Sequence, residues 1–399
     1  MGTRPGMSIA ERWLLPDGIE EVLPPEAARI EALRRLLLDE YRTWGYDLVI
    51  PPSAEYLESL LTGVGHDLDL LTYKITDQGS GRLMGLSADN TQQVARMDAH
   101  SLPRAGVARY CYSSNVLHTK ATHLLSSRSP IQIGAELYGY SGIDSDIEIV
   151  SLMLTSLARA ELQDVTLDLG HIGVYQALIE ASGLVGDQAT ELFRLLRHRS
   201  LPELDRWLKS ATLSDEFKRW FAILPQCAGT LERLEHWPAH FTGAPEGVHT
   251  ALDTLTRIAM ALRVRFPDQK IHLDLAELRD FNYHTGLVFS AFVPGFGQAV
   301  AKGGRYDSTG KVFGRLRPAT GFSSDLKILS SQARGRWQEA SGIRAPAVSD
   351  SSLIERISEL RASGERVVQV FTDQAAPEEL GCDRELVFEQ SSWQVKPLY

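Results

Sequence analysis

The chain is predicted to be α+β: an antiparallel sheet flanked by helices, with a helical insertion and a small C-terminal α/β tail. Three patterns predict this. Apolar runs rich in β-favouring residues return on themselves, Leu71–Thr76 with Arg82–Leu86, Ala108–Leu117 with Ser129–Gly139, and Leu287–Val293 with Gln298–Asp307. From Leu184 to about Phe266 the chain is helical and loop-rich, without strand signals. Beyond a Ser/Ala/Arg-rich linker, Arg334–Asp350, a helix (Ser351–Ala362), a strand (Arg366–Phe371) and two further strands within Asp383–Val395 make the tail. The expected domains are 9–333, with 184–266 as the insertion, and 351–399.

A length of 399 residues suits one large and one smaller domain. Hydrophobic content of 43% and charged content of 23% are those of a soluble globular chain. No apolar run is long enough to span a bilayer, and the N-terminus lacks a basic-then-apolar export signal. Cys111, Cys227 and Cys382 are odd in number, far apart and not in a CxxC, which argues for a reducing, cytoplasmic setting and against a zinc site. Cys111, in an apolar strand, is expected to be core. A net charge of −10 leans against a large nucleic-acid contact surface.

In chain order, Glu26–Trp44 is predicted as a helix. Ile30, Leu33, Leu37, Tyr41 and Trp44 recur at helical spacing, Pro24-Pro25 opens it and Gly45 closes it. Tyr46–Ile50 is a short strand stopped by Pro51-Pro52. Ser87 to Arg96 takes a strand into a helix whose start carries Asp89, Asn90 and Thr91: an N-cap cluster, or a strand end where Asp89 and Thr91 could hold an ammonium group. Gln132 and Glu136 lie on one face of a strand, alternating with Ile131, Ile133 and Leu137, so that face is either solvated or polar for a reason. Asp144–Arg159 is an amphipathic helix with an acidic start, Val165–Leu169 a strand, Val174–Ala181 a helix and Ile271–Leu275 a strand. Arg279–Asp307 (RDFNYHTGLVFSAFVPGFGQAVAKGGRYD) joins two polar clusters on one hairpin, the first with Tyr283 and His284. In the second, Gly303-Gly304 allows close backbone approach and Arg305, Tyr306 and Asp307 end the strand.

That hairpin resembles the two histidine-recognition signatures of the histidyl-tRNA synthetase family. The long helix, strand and proline of Glu26–Pro52 resemble motif 1 of class II synthetases, which implies self-dimerisation there. Ser87–Thr91 resembles the family's Leu-Arg-Pro-Glu-Gly-Thr element, with Asp89 in the Glu position, Thr91 kept and Ser87 for the Arg. The strands flanking the polar loop His118–Arg128 resemble motif 2, and Glu136-Leu-Tyr-Gly resembles the histidine-pocket element. The resemblance implies that Asp89, Thr91 and Gln132 hold an α-ammonium, that Glu136 accepts an imidazole N–H and that Tyr306 closes on the ring. Arg279 would meet the carboxylate, with Tyr283 and His284 beside the ring.

The nucleotide grip of that family departs. His118 stands at the motif 2 Arg, and Gly321-Phe322-Ser323-Ser324-Asp325-Leu326-Lys327-Ile328 puts Ile328 at the motif 3 Arg. Guanidinium suits phosphate because it is planar, charged and bidentate. Losing one such contact costs about 3 kcal/mol of transition-state stabilisation, so losing two should abolish adenylation. From Arg334 on, 8 Lys/Arg against 11 Asp/Glu leave the tail acidic, and it is short for an anticodon-binding domain. LSADNTQQVARMDAH, SPIQIGAELYG, RDFNYHTG and GGRYD, with the missing motif 3 Arg, resemble the synthetase-like regulatory subunits of ATP phosphoribosyltransferase over about residues 9–330. That resemblance implies no catalytic residue, cofactor or metal in this chain. It implies a short-form catalytic partner in a hetero-octamer of four plus four, and histidine as feedback effector. Ser87, Asn90 and His118 are unusual even there. The alternatives are a stand-alone histidine-sensing module and an active histidyl-tRNA synthetase.

Overall fold

The computed structural model describes residues 13–61, 66–121, 126–278, 283–307, 314–333, 341–371 and 380–398. The chain forms two compact units, one of residues 1–22 and 30–335, the other of 23–29 and 336–399.

The first unit is built on a nine-stranded sheet. In chain order its strands are β1 (Asp47–Leu48), β5 (Ala108–Asn115), β6 (Ile131–Tyr138), β7 (Thr166–His171), β8 (Ala228–Thr230), β9 (Lys270–Asp274), β10 (Leu287–Phe292), β11 (Ala301–Arg305) and β12 (Ala319–Asp325). A separate small antiparallel sheet has the order β2 (Ala54–Tyr56), β4 (Leu83–Leu86), β3 (Lys74–Thr76). The large sheet runs β1-β5-β6-β12-β11-β10-β7-β9-β8. Its centre is antiparallel as expected, while β1–β5 and β7–β9 pair in parallel, so the sheet is mixed. The region expected to lack strands contributes β8, a three-residue edge strand with Gly229 at φ 147. Three residues are too few to show an alternating pattern.

Register explains the two faces. Tyr110, Glu136, Gly321, Gly304, Val288 and Gly170 are successive partners across five strand junctions and share one face. The adjacent row, Cys111, Ala135, Phe322, Gly303, Phe289 and Leu169, faces the other way and is apolar. That apolar face is covered by the helices Ile143–Arg159 and Glu246–Arg265. Tyr41, on the helix Glu26–Thr43, meets Phe322 edge-on at 6.0 Å. Cys111 is buried in this layer, and burial pushes its thiol up to about 12. It is core, as its surroundings in the sequence suggest.

The second unit is a sheet of order β14 (Val367–Val370), β13 (Gly342–Pro346), β15 (Cys382–Glu389), β16 (Ser392–Pro397), with the helix Ser351–Ala362 packed on it. Its core is Ile343, Ala345, Leu353, Ile357, Leu360, Val367 and Leu386. β13 lies inside the segment expected to be linker. It is a short inner strand paired on both sides, and its Arg and Pro mask the apolar run. Gln390 and Ser391, at φ 49 and 63, turn β15 into β16 with the left-handed geometry of a tight hairpin.

Candidate functional site

The polar face of the large sheet carries the site. Glu136, on β6, is 1% exposed. Its carboxylate has room because its partner across the strand is Gly321: a Cβ there would lie 1.6 Å from Oε2. Likewise a Cβ at Gly304 would meet His284 Nδ1 at 2.8 Å. Glycine at these two positions admits side chains from neighbouring strands.

Glu136 is held by hydroxyls. Tyr112 OH donates to Oε1 at 3.1 Å, and Tyr306 OH donates to Oε2. Tyr306 OH also lies 3.3 Å from Tyr138 OH, and Thr91 Oγ1 3.4 Å from Tyr112 OH. Tyr283 stacks on Tyr306 at 4.9 Å and 21°, with the His284 ring edge-on to Tyr283 at 5.2 Å. Burial pushes the Glu136 carboxyl up to about 8, and the nearby Asp89 adds to this against the opposing pull of the two tyrosine hydroxyls. Burial also holds Tyr112, Tyr138 and Tyr306 well above the usual phenol range, so they remain donors.

A second polar group adjoins the first through Thr91. Asp89 caps the helix Asn90–Arg96, its Oδ1 accepting from Thr91 N and from Gln132 Nε2, both at 2.9 Å. Gln132 Oε1 accepts from Asn90 N at 2.9 Å and Asn90 Nδ2 at 2.7 Å, and Asn90 Oδ1 accepts from Ser114 Oγ at 2.7 Å. Asp89 is thus a cap, and the same carboxylate oxygen also accepts from Gln132.

The structure brings together Asp89, Thr91, Gln132, Glu136, Tyr283, His284 and Tyr306 of the expected site. Arg279 lies outside the described residues. Arg305 does not join them. Its guanidinium turns to the opposite face, onto Asp146 at 3.0 Å, Ser145 Oγ at 2.7 Å and Asp307 at 3.1 Å. Neighbouring residues on a strand point to opposite faces, so Arg305 and Tyr306 could not both enter. Sequence reasoning missed Tyr112, Tyr138, Asn90 and Ser114. Tyr110, Tyr112 and Ser114 alternate along β5, and only their register against Glu136, Gly134 and Gln132 brings them to the site.

Where a nucleotide grip would sit, most of the polar groups are bonded within the chain, the exception being the buried Nδ1 of His118. His118 Nε2 lies 2.9 Å from the Ala88 carbonyl, which can only accept, so this nitrogen carries the proton. Arg128 binds the carbonyls of Asp17 at 2.8 Å and His118 at 3.1 Å. Lys327 Nζ meets Glu20, Ser127 and Ser129 at 3.2–3.4 Å. Asp325 caps the helix Leu326–Gln332 and accepts from Ile131 N at 3.1 Å and Lys327 N at 3.0 Å. Burial pushes its carboxyl up to about 6. Ile328 stands on that helix.

Fold and site together define a histidyl-tRNA synthetase-like protein of the class II kind. The histidyl-tRNA synthetase family matches residues 18–329. A histidyl-tRNA synthetase from Nostoc sp. PCC 7120 superposes with TM-score 0.76 over 94% of this chain and 91% of that one, at 17% identity. A Bacillus halodurans structure described as an ATP phosphoribosyltransferase regulatory subunit/histidyl-tRNA synthetase gives 0.80 at 27% identity, over 90% and 94%. Residues 340–396 match the ATP phosphoribosyltransferase subunit HisZ C-terminal domain. ATP phosphoribosyltransferase regulatory subunits from Pseudomonas paraeruginosa and Chromohalobacter salexigens are each 51% identical, over 98% of this chain and 100% of theirs. The chain belongs to the family of ATP phosphoribosyltransferase regulatory subunits.

Proposed function

We propose that the chain acts as the non-catalytic subunit of an ATP phosphoribosyltransferase and binds free histidine in the Glu136 pocket as a feedback signal. Catalysis resides in a short-form partner, which joins ATP to phosphoribosyl pyrophosphate at the first step of histidine biosynthesis. The complex is a cytoplasmic hetero-octamer of four and four chains, with self-association through the motif 1-like segment Glu26–Ile50. Among the described residues, no helix is long and apolar enough to cross a membrane.

The observation that carries this reading is a buried carboxylate ringed by tyrosines and adjoining Asp89 and Gln132, on a fold whose phosphate-gripping positions hold His118 and Ile328. In the bound state Glu136 faces the imidazole, and Tyr306 with Tyr283 forms its aromatic wall. Asp89, Thr91 and Gln132 take the ammonium. Arg279 takes the carboxylate and His284 lies behind Tyr283. For feedback, histidine must favour the inhibited assembly, by about 1–3 kcal/mol of coupling.

Calorimetric titration of the Asp89→Ala, Glu136→Ala double variant tests the pocket. Histidine affinity should fall by about a hundredfold or more, since two hydrogen-bonded charges are lost. The variant mixed with the catalytic subunit should retain activity and lose inhibition by histidine. Unchanged affinity sinks the pocket, and failure to associate with a short-form catalytic subunit sinks the regulatory role.

A further inference from the structure

Among the described residues, Glu136 is a buried acid without a counter-ion. The groups facing it are Tyr112 from β5, Tyr138 from β6, Tyr306 beyond β11, and Thr91 and Asp89 at the start of the helix Asn90–Arg96. β12 presents only Gly321. None of these is a cation, and Asp89 is an anion. A carboxylate taken from water into such surroundings is costly, and the group keeps its proton instead. The upward shift to about 8 has this cause.

Resting on the reading of this pocket as an amino-acid site, we propose that Glu136 selects its ligand by basicity, handing its carboxyl proton to a ring nitrogen so that the bound pair is carboxylate and ring cation. The O–H bond at Glu136 breaks, the N–H bond forms on the ring, and Glu136 gains a counter-charge that none of the described residues gives it. The ligand class is an amino acid with a basic heteroaromatic ring. A ring of the same shape that holds a proton poorly leaves Glu136 as a neutral acid and forgoes the ion pair.

The proton balance gives a pH signature. A free imidazole side chain titrates near about 6.5. Between that and about 8, both partners meet neutral and no proton is exchanged with water. Below the window the ring arrives charged, so binding expels the carboxyl proton. Above it Glu136 is already ionised, so binding takes a proton from water. Affinity falls on both sides, by about tenfold per pH unit.

The test is calorimetric titration of the full chain with histidine at pH 5.5, 7.2 and 8.8, each in buffers of different ionisation enthalpy, for wild type and Glu136→Gln. Wild type should exchange no proton at pH 7.2. At pH 8.8 it should take up close to one, beyond the fraction owed to the ligand's own amine, with a roughly sixfold loss of affinity that Glu136→Gln does not show. Thiazolylalanine should bind wild type at least tenfold more weakly than histidine at pH 7.2, with a much smaller gap in the variant. Equal proton uptake in the two proteins at pH 8.8, or wild type binding both ligands equally, overturns the proposal while leaving the histidine site in place. If wild type binds histidine at no pH, the site reading itself falls. Should Glu136→Gln fail to fold, the comparison of histidine with thiazolylalanine in wild type decides alone.

Discussion

Two regions share the polar face of the large sheet, and their polar groups are arranged oppositely. Around Glu136 the acid outnumbers its compensation: among the described residues, a fully buried carboxyl receives hydroxyls and no cation. Around Asp325 and Lys327 every group is answered from within the chain, the acid by two backbone amides, the amine by Glu20, Ser127 and Ser129. Buried polar groups are costly unless paired. On the proposed reading, a region that takes a ligand can carry that cost because the ligand offsets it, whereas one that meets no ligand has nothing to offset it and its groups turn inward.

The largest effect expected from this difference is an absence of chemistry. Histidine-dependent pyrophosphate exchange should stay at background. Two missing phosphate contacts at about 3 kcal/mol each amount to a loss of the order of ten-thousandfold. Exchange at the rate of an intact synthetase would break the contrast outright, because it would show a working nucleotide grip where the chain has His118 and Ile328.

Much of this contrast was legible in the sequence, for a physical reason. Strand alternation places Gln132 and Glu136 on one face, and substitutions such as Ile for Arg change charge in ways that no packing restores. What was not legible depends on partners brought together from afar. Tyr112 and Ser114 became site residues only through their register against β6. Asn90 reads as part of an N-cap cluster but ties Gln132 to Ser114. Arg305 ends its strand beside Tyr306, yet the pleat sends it to Asp146. β13 was hidden because a short strand with Arg and Pro has too little apolar signal, whereas its two neighbours define it.

A smaller effect sharpens the contrast through stability of the ligand-free chain. In the unfolded chain Glu136 ionises near 4.5, and in the folded pocket it holds its proton up to about 8. Its contribution is thus fully present below 4.5 and is lost as pH rises toward 8. Glu136→Gln removes that dependence. At pH 5 the two proteins should melt nearly together. At pH 8 the variant should be more stable, by on the order of 3 kcal/mol. Parallel melting curves across that range would mean that Glu136 is solvated or paired, and the proton-transfer proposal would lose its footing.

The smallest effect should come from the other region. Lys327 is 14% exposed, and its partner Glu20 is 56% exposed. A half-solvated ion pair of this kind contributes about 0–1 kcal/mol. Lys327→Met keeps the unbranched apolar stem, removes the charge and leaves Ser127 and Ser129 bonded to each other at 3.3 Å. The melting temperature should fall by only about 1–2 °C, and histidine affinity should not change, because no bond links Lys327 to Glu136 or Asp89 among the described residues. The same variant also probes coupling across the sheet. Gln132 and Asp325 are register partners, and Lys327 N is held by Asp325, so a path from one region to the other exists through β6 and β12. A loss of histidine affinity beyond about fivefold would exceed anything a surface ion pair supplies. It would mean that the inward-turned region still positions Gln132, and that the two regions behave as one.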